Sequence, residues 1–259
     1  MKVKRVLTIA GSDPTAGAGL QADLRVFNQL GVYGMAIPTA ITIQDTKGVK
    51  GIAALPSGAV KKQLDTLLND IKIDTLKTGM LLTKENILAI ESACRRYKIK
   101  NLIIDPIIKS GTGVALLKKD AVSFLKERLF PLALIITPNI NEAEALTGIK
   151  IKDEKDVILA AKILYKMGPR YVLIKGGHFK KEPNDFLYDG RSFRVYKGKR
   201  IKGIKLHGAG CVFSAAITAY LAKGLSVTGA VGEAKGFINK AIKRAVVIGK
   251  GRKVLYKMP

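Results

Sequence analysis

Four residues late in the chain, Gly208-Ala209-Gly210-Cys211, stand directly before an apolar run rich in alanine, with Ala215, Ala216 and Ala219. The run predicts a helix. Glycines at its start would leave several backbone N–H groups, and the positive end of the helix dipole, aimed at one point that suits an anion. A thiolate is favoured at such a helix start, so Cys211 is expected to have a lowered pKa and to act as a proton acceptor or nucleophile. A tight turn around a buried, inert thiol is the competing reading. Cys94 shares a helical face with Ile87, Ile90 and Tyr97 and reads as core.

Other chemistry-bearing residues follow strand-like runs, which is where ligands bind in open α/β sheets. Asp105, before Pro106, and Glu142, three residues after Asn139, could support a hydrated Mg2+, since that ion keeps its waters and takes few protein carboxylates. Turn chemistry for Asp105 and helix capping for Glu142 are the plain alternatives. Lys175 ends a strand beside Gly176-Gly177, where a phosphate can approach closely, unless it is a surface lysine. The glycine-rich turn from Gly11 to Gly19, Gln44 and Thr78-Gly79-Met80 complete the set. No G-x-x-x-x-G-K-[ST] occurs, which excludes a P-loop NTPase, and the first turn does not fit G-x-G-x-x-G.

The elements that must hold these residues alternate between short β-branched runs and amphipathic helical patterns, as expected of a mostly parallel sheet covered by helices on both faces. Strands are expected at Val3 to Ile9, Ala36 to Gln44, Thr75 to Thr78, Leu102 to Asp105, Leu134 to Thr137 and Tyr171 to Lys175, with a loop around Asp45 to Gly48. Val60, Leu64, Leu67, Leu68 and Ile71 form one helical stripe, with Ser57 as its expected cap. A helix is expected from Lys84 to Tyr97, another behind Asp153 as cap, and two more from near Gly210 and Val227. Between Asp185 and about Lys205, short strands are expected around a hairpin at Tyr188-Asp189-Gly190.

With 259 residues, 47% of them hydrophobic, the chain has material for one large α/β domain over 1–259 and is not disordered. No apolar run approaches the ~18–20 residues that cross a bilayer, and Met1 to Arg5 do not open a signal-peptide core. A cytoplasmic protein with no membrane contact is expected. Two cysteines and two histidines give no basis for a disulfide framework or a structural zinc site. The net charge of +25 raises nucleic acid as a partner, with Arg191, Arg194, Lys197, Lys199, Arg200, Lys202 and Lys205 in one acid-free stretch. No aromatic interleaving accompanies them, so a solvated lysine-rich surface is favoured over a nucleic-acid face.

Taken together, Thr8 to Pro14, Gly17 to Leu24, Leu30 to Gly34, Thr39 to Gln44, Lys77 to Met80, Asp105-Pro106, Ile136 to Asn139 with Glu142-Ala143, Lys175 to His178 and His207 to Cys211 resemble the hydroxymethylpyrimidine/phosphomethylpyrimidine kinases of thiamine biosynthesis. The resemblance runs over nearly the whole chain. It implies a ribokinase-like three-layer sandwich, a homodimer, and two successive transfers of the ATP γ-phosphoryl group. The first goes to the hydroxymethyl of 4-amino-5-hydroxymethyl-2-methylpyrimidine and the second to the resulting monophosphate. It further implies that Gly208, Ala209, Gly210 and Cys211 form the anion hole, with Cys211 accepting the hydroxyl proton, and that Lys175 steadies the phosphates. Asp105 and Glu142 would stand near Mg2+, Asn139 and Lys235 near the nucleotide. Gln44, the Thr42 backbone, Gly11, Ala18 and Met80 would hold the pyrimidine, with Asp23 on the substrate side.

The family pattern at the anion hole is Gly-Thr-Gly-Cys-Thr, so Ala209 and Val212 replace two threonines. Loss of a hydroxyl contact to phosphate is expected. Two rivals remain: a pyridoxal/pyridoxine kinase, against which Gln44 argues, and a basic nucleic-acid-binding protein on a degenerate kinase scaffold.

Overall fold

The fold is that of a computed structural model describing residues 3–177, 183–198 and 205–256. His178, Lys199, Arg200 and Lys202 lie outside the described residues. The strands of the main sheet are Arg5–Ser12 (β1), Tyr33–Asp45 (β2), Gly48–Ala54 (β3), Thr75–Thr78 (β4), Leu102–Ile104 (β5), Ile135–Ile136 (β6), Tyr171–Ile174 (β7), Asp185–Tyr188 (β8) and Phe193–Tyr196 (β9). Their spatial order is β3-β2-β1-β4-β5-β6-β7-β8-β9. The strands from β2 to β7 run parallel, and β3, β8 and β9 add antiparallel edges.

Strand side chains alternate between two cores, as the period of two requires. Leu102 and Ile104 enter one core and Ile103 the other; Ile136 and Ile135 divide the same way, as do Val172 with Ile174 and Leu173. Both faces being covered explains why these strands read as continuous apolar runs. The helices are Gly19–Gln29 (α1), Ser57–Asp70 (α2), Lys84–Arg96 (α3), Ala121–Phe124 (α4), Ile140–Thr147 (α5), Glu154–Lys166 (α6), Ala209–Ala222 (α7) and Val227–Lys243 (α8). Residues of α1, α7 and α8 fill one core, and those of α2, α3, α5 and α6 fill the other. The result is a three-layer α/β sandwich. The α7 helix is apolar all round and buried over most of its length, which fits its place beneath α8 and against the sheet.

Several local expectations need correction. Gly48 opens an antiparallel strand instead of staying in a loop, so β2 and β3 form a hairpin turning at Thr46-Lys47. Ser57 is the first residue of α2 and makes no capping bond; Pro56 stands at the cap. Asp153 does cap α6, accepting the N–H groups of Lys155 and Asp156. The α4 helix continues into a π-helical turn, Leu125–Leu129, that no sequence pattern announced. No helix among the described residues is long and apolar enough to cross a membrane.

Chain order reverses around β1, whose neighbours are β2 and β4, so this sheet has its topological switch point there. Two short strands, Leu206–His207 (β10) and Lys253–Val254 (β11), pair nearby. They bring the last described segment against the hairpin: Arg252 N donates to Thr46 O at 2.8 Å and Gly251 N to Thr46 Oγ1 at 3.0 Å.

Candidate active site

One cleft opens over the carboxyl ends of β1, β4, β5, β6 and β7, and residues following each of these strands line it. Its floor is the turn into α7. Gly208 has φ +77°, and a Cβ there would stand 1.8 Å from Gly17 O, so glycine alone fits. Gly19 meets the same constraint from the first turn, at φ +60° with Gly11 O 2.3 Å from a Cβ. The two glycine turns therefore pack backbone to backbone, which is why both are needed. The first N–H groups of α7 have no intrahelical partner, and Gly208, Gly210 and Cys211 line the cleft.

Lys175 stands over this turn. A Cβ on Gly210 would lie 3.3 Å from Lys175 Nζ, and Nζ donates to Asp105 Oδ1 at 2.7 Å. Asp105 also accepts from Thr137 Oγ1 at 3.2 Å and Ser214 Oγ at 3.0 Å. Burial works against the ammonium of Lys175, but Asp105 and Glu142 outweigh it and hold its pKa above the ordinary lysine value. Lys175 is thus a buried, oriented cation and not a surface lysine.

Glu142 both caps a helix and lines the cleft. Its Oε2 accepts Asn139 N at 2.8 Å while Asn139 Oδ1 accepts Glu142 N at 3.0 Å, a capping box that starts α5. The same carboxyl lines the cleft beside Lys175. Burial pushes its pKa up to about 8, against the pull of Lys175. Asn139 lines both this cleft and an adjoining groove formed by Ile108 to Gly111, Asn141, Glu144 and Gly148 to Lys150. Among the described residues, no group of three or more His, Cys, Asp and Glu could hold a metal ion. Two oxygen donors, Asp105 and Glu142, fit only a cation that keeps most of its water.

Cys211 departs from expectation. Its thiol is buried, and desolvation pushes its pKa up to about 12 instead of lowering it. Lys77 and the Gly19 N–H favour the thiolate, but Asp105 and Asp23 oppose it. The helix-start argument fails because burial outweighs the dipole. Cys94, in the core as expected, is likewise pushed up to about 12 by burial.

Gly11, Ala18, Thr42, Gln44 and Met80 line the same cleft, with Ala18 directly against the Gly208 turn. Thr42 Oγ1 donates to Ser12 O at 2.9 Å, tying β2 to the end of β1, and Thr39 Oγ1 fixes Met80 O at 2.6 Å. A Cβ on Gly11 would stand 2.7 Å from Met80 Sδ, so the thioether occupies the space a side chain would need.

Three sequence-derived site residues are placed elsewhere. Asp23 does not reach the cleft: it is fully buried, taking Lys77 Nζ at 2.8 Å and Thr8 Oγ1 at 2.6 Å. Lys235 is engaged by Asp185 Oδ2 at 2.6 Å and Pro183 O at 3.1 Å, and does not line the cleft. The Ala209 side chain packs on the apolar layer, so only its backbone can serve the turn. Val212 is also fully buried in that layer, so a threonine hydroxyl there would face the core and not a phosphate. Lys77 and His207 also line the cleft; both fall in motifs quoted from the sequence, which gave neither a role. The signal for Lys77 was a lysine inside a strand buried on both faces: all four residues of β4 are buried.

A three-layer α/β sandwich with one cleft over the carboxyl ends of its parallel strands is the ribokinase-like fold. The phosphomethylpyrimidine kinase family model matches residues 13–255, and the chain belongs to that family. It is 45% identical over 247 residues to the thiamine biosynthesis bifunctional protein ThiED of Geobacter sulfurreducens, covering 95% of this chain and 50% of that protein. The chain thus spans about half the length of this bifunctional relative. A crystal structure of phosphomethylpyrimidine kinase from Clostridium difficile 630 is 44% identical, with TM-score 0.83 over 92% of this chain and 99% of that one. The pyridoxal kinase of Staphylococcus aureus in complex with AMP-PCP is 37% identical, with TM-score 0.91 over 98% and 93% of the two chains.

Proposed function

We propose that the protein uses ATP to phosphorylate the hydroxymethyl of 4-amino-5-hydroxymethyl-2-methylpyrimidine and then the resulting monophosphate. The observation that carries this reading is the cleft itself, which gathers Gln44, Gly208, Gly210, Cys211, Lys175 and Asp105 in one lining. A heteroaromatic ring held among Gly11, Thr42, Gln44 and Met80 would present its alcohol towards the Gly208–Cys211 turn. Nucleotide phosphates would enter from the groove that Asn139 shares with the cleft. Asp105 and Glu142 would hold a hydrated Mg2+, which neutralises phosphate charge when bound.

Phosphoryl transfer passes through a loose transition state in which positioning and charge neutralisation dominate. The N–H groups of the turn and Lys175 supply them here. The hydroxyl proton is lost late, to a phosphoryl oxygen or to solvent, because burial holds Cys211 as a neutral thiol with no site to accept it, and the residue serves through its place in the turn. Asp23 acts on the site through Lys77 and Lys235 through Asp185, neither touching the ligands. A homodimer belongs to the same reading, and Tyr33, Ile41 and Ile43, exposed on β2, offer apolar surface for it. The likeness to a pyridoxal kinase supports a second reading, in which pyridoxal is also an acceptor.

ATP consumption with the pyrimidine alcohol, its monophosphate and pyridoxal offered separately tests these readings. Turnover of both pyrimidines, lost in Gln44→Ala through a raised KM, is expected. Turnover of pyridoxal alone would move the protein to the second reading.

A further inference from the structure

Gln44 does not stand alone at the mouth of the cleft. Its side-chain amide lies 2.8 Å from His207 Nε2, and the same ring nitrogen lies 2.7 Å from Asp13 Oδ2. One nitrogen therefore faces both a carboxylate and an amide, and a single proton cannot satisfy every assignment of the three groups.

The charge of Asp13 decides the matter. Its Oδ1 accepts Thr15 N and Thr15 Oγ1, both at 2.9 Å, and its Oδ2 accepts Ala18 N at 2.9 Å. A carboxyl that takes three donors besides the imidazole is ionised, and an ionised oxygen at 2.7 Å requires a proton on His207 Nε2. That proton leaves Nε2 with no lone pair for an amide N–H. The neighbouring atom of Gln44 must then be its oxygen, since two donors cannot face each other at this distance, and amide ends are interchangeable in shape. The NH2 end consequently points into the cleft.

A second feature shows that the fold makes room for this arrangement. A Cβ on Gly17 would lie 2.3 Å from His207 Cδ2, so the absence of a side chain at that position is what admits the ring. His207 is further held by β10, whose partner strand β11 carries the segment that grips the hairpin turn beside Gln44.

We propose that His207, with its proton fixed on Nε2 by Asp13, is a positioning residue that turns the Gln44 amide so that it offers hydrogen-bond donors to the substrate. The inference rests on the proposed function in one respect, that Gln44 reads the ring. It adds a specificity rule: the cleft selects an aromatic alcohol that presents an acceptor nitrogen to Gln44, and rejects one presenting an N–H there.

Two experiments test it. In the first, the protein is labelled with 15N-histidine and carries His178→Gln, which leaves one of the two histidines. Long-range 1H–15N correlations should find a proton on Nε2 in the absence of substrate; a proton on Nδ1 alone overturns the inference. In the second, His207→Phe keeps a ring of similar size and removes both nitrogens. KM for the pyrimidine alcohol should rise by about tenfold, the order expected for one positioned hydrogen bond, with kcat and the KM for ATP changing far less. In a Gln44→Ala background the same replacement should add nothing further. Equal effects of His207→Phe with and without Gln44 would overturn the inference, because the ring would then act by another route. The tautomer measurement needs no turnover, so a protein inactive on the pyrimidine but protonated at Nε2 would refute the function and not the geometry.

Discussion

Replacing Gly208 by alanine tests the turn on which the site depends. Two independent effects follow from its geometry. The residue sits at φ +77°, where a Cβ costs about 1–2 kcal/mol. The new Cβ would also stand 1.8 Å from Gly17 O, whereas real Cβ contacts essentially never fall below 3.0 Å, so the turn must retreat from the first glycine loop by more than 1 Å. A displacement of that size at a positioning group lowers turnover by about 10²-fold. The backbone strain lowers Tm by ~2–8 °C, at ~2–4 °C per kcal/mol for a chain of this size. Gly236→Ala is the control. Gly236 is exposed within α8, with nothing within 4 Å of its Cβ position, so alanine there should raise Tm by a few degrees through helix propensity alone. Melting curves and steady-state kinetics on both variants read the contrast. A Gly208→Ala protein with wild-type kcat and Tm would refute the claim that these two glycine turns build the site by backbone contact.

Other outcomes follow from the groups buried beneath the cleft. Lys77→Met strands Asp23 without its cation in a site with no solvent, which should destabilise the fold by about 3–5 kcal/mol. The double variant Lys77→Met/Asp23→Leu should recover most of that in urea denaturation, and strictly additive losses would show that the pair is not coupled. Both thiols ionise only near 12 when folded, against 9.0 for a free cysteine. Alkylation of the native protein at pH 8 should therefore run roughly 10³-fold slower than that of the unfolded chain, and a fast-reacting Cys211 would contradict its burial. The sign of the linked stability follows: the thiols' contribution is intact below pH 9, and it is lost as pH rises from 9 towards 12, because the unfolded chain releases these protons first.

Much of this was legible in the residues. The strands at the centre of the sheet announced themselves as short apolar runs stopped by proline or glycine, since burial on both faces leaves no polar alternation. The candidate site residues followed those strands, and Gln44, Asp105, Glu142, Lys175, Gly208, Gly210 and Cys211 do line one cleft. The β3 strand was hidden because Gly48–Ala54 is a half-exposed edge rich in glycine and alanine, with no clean alternation, held by pairing with β2. Asp23 misled because a carboxylate beside a glycine turn reads as a ligand contact, while its partner Lys77 lies 54 residues away. The thiol of Cys211 misled for a related reason. Helix position is visible in sequence, whereas desolvation depends on what packs above the sulfur.

In the proposed reaction this cleft passes phosphoryl groups from ATP to one pyrimidine alcohol, twice. Incubating the protein with Mg2+, ATP and 4-amino-5-hydroxymethyl-2-methylpyrimidine as sole acceptor, and resolving the products by mass over time, tests it most directly. A monophosphate should accumulate and then be consumed as the diphosphate grows, with both species absent in Lys175→Ala. Diphosphate formation undiminished in Lys175→Ala, or no phosphorylated pyrimidine from the wild-type protein, would contradict it.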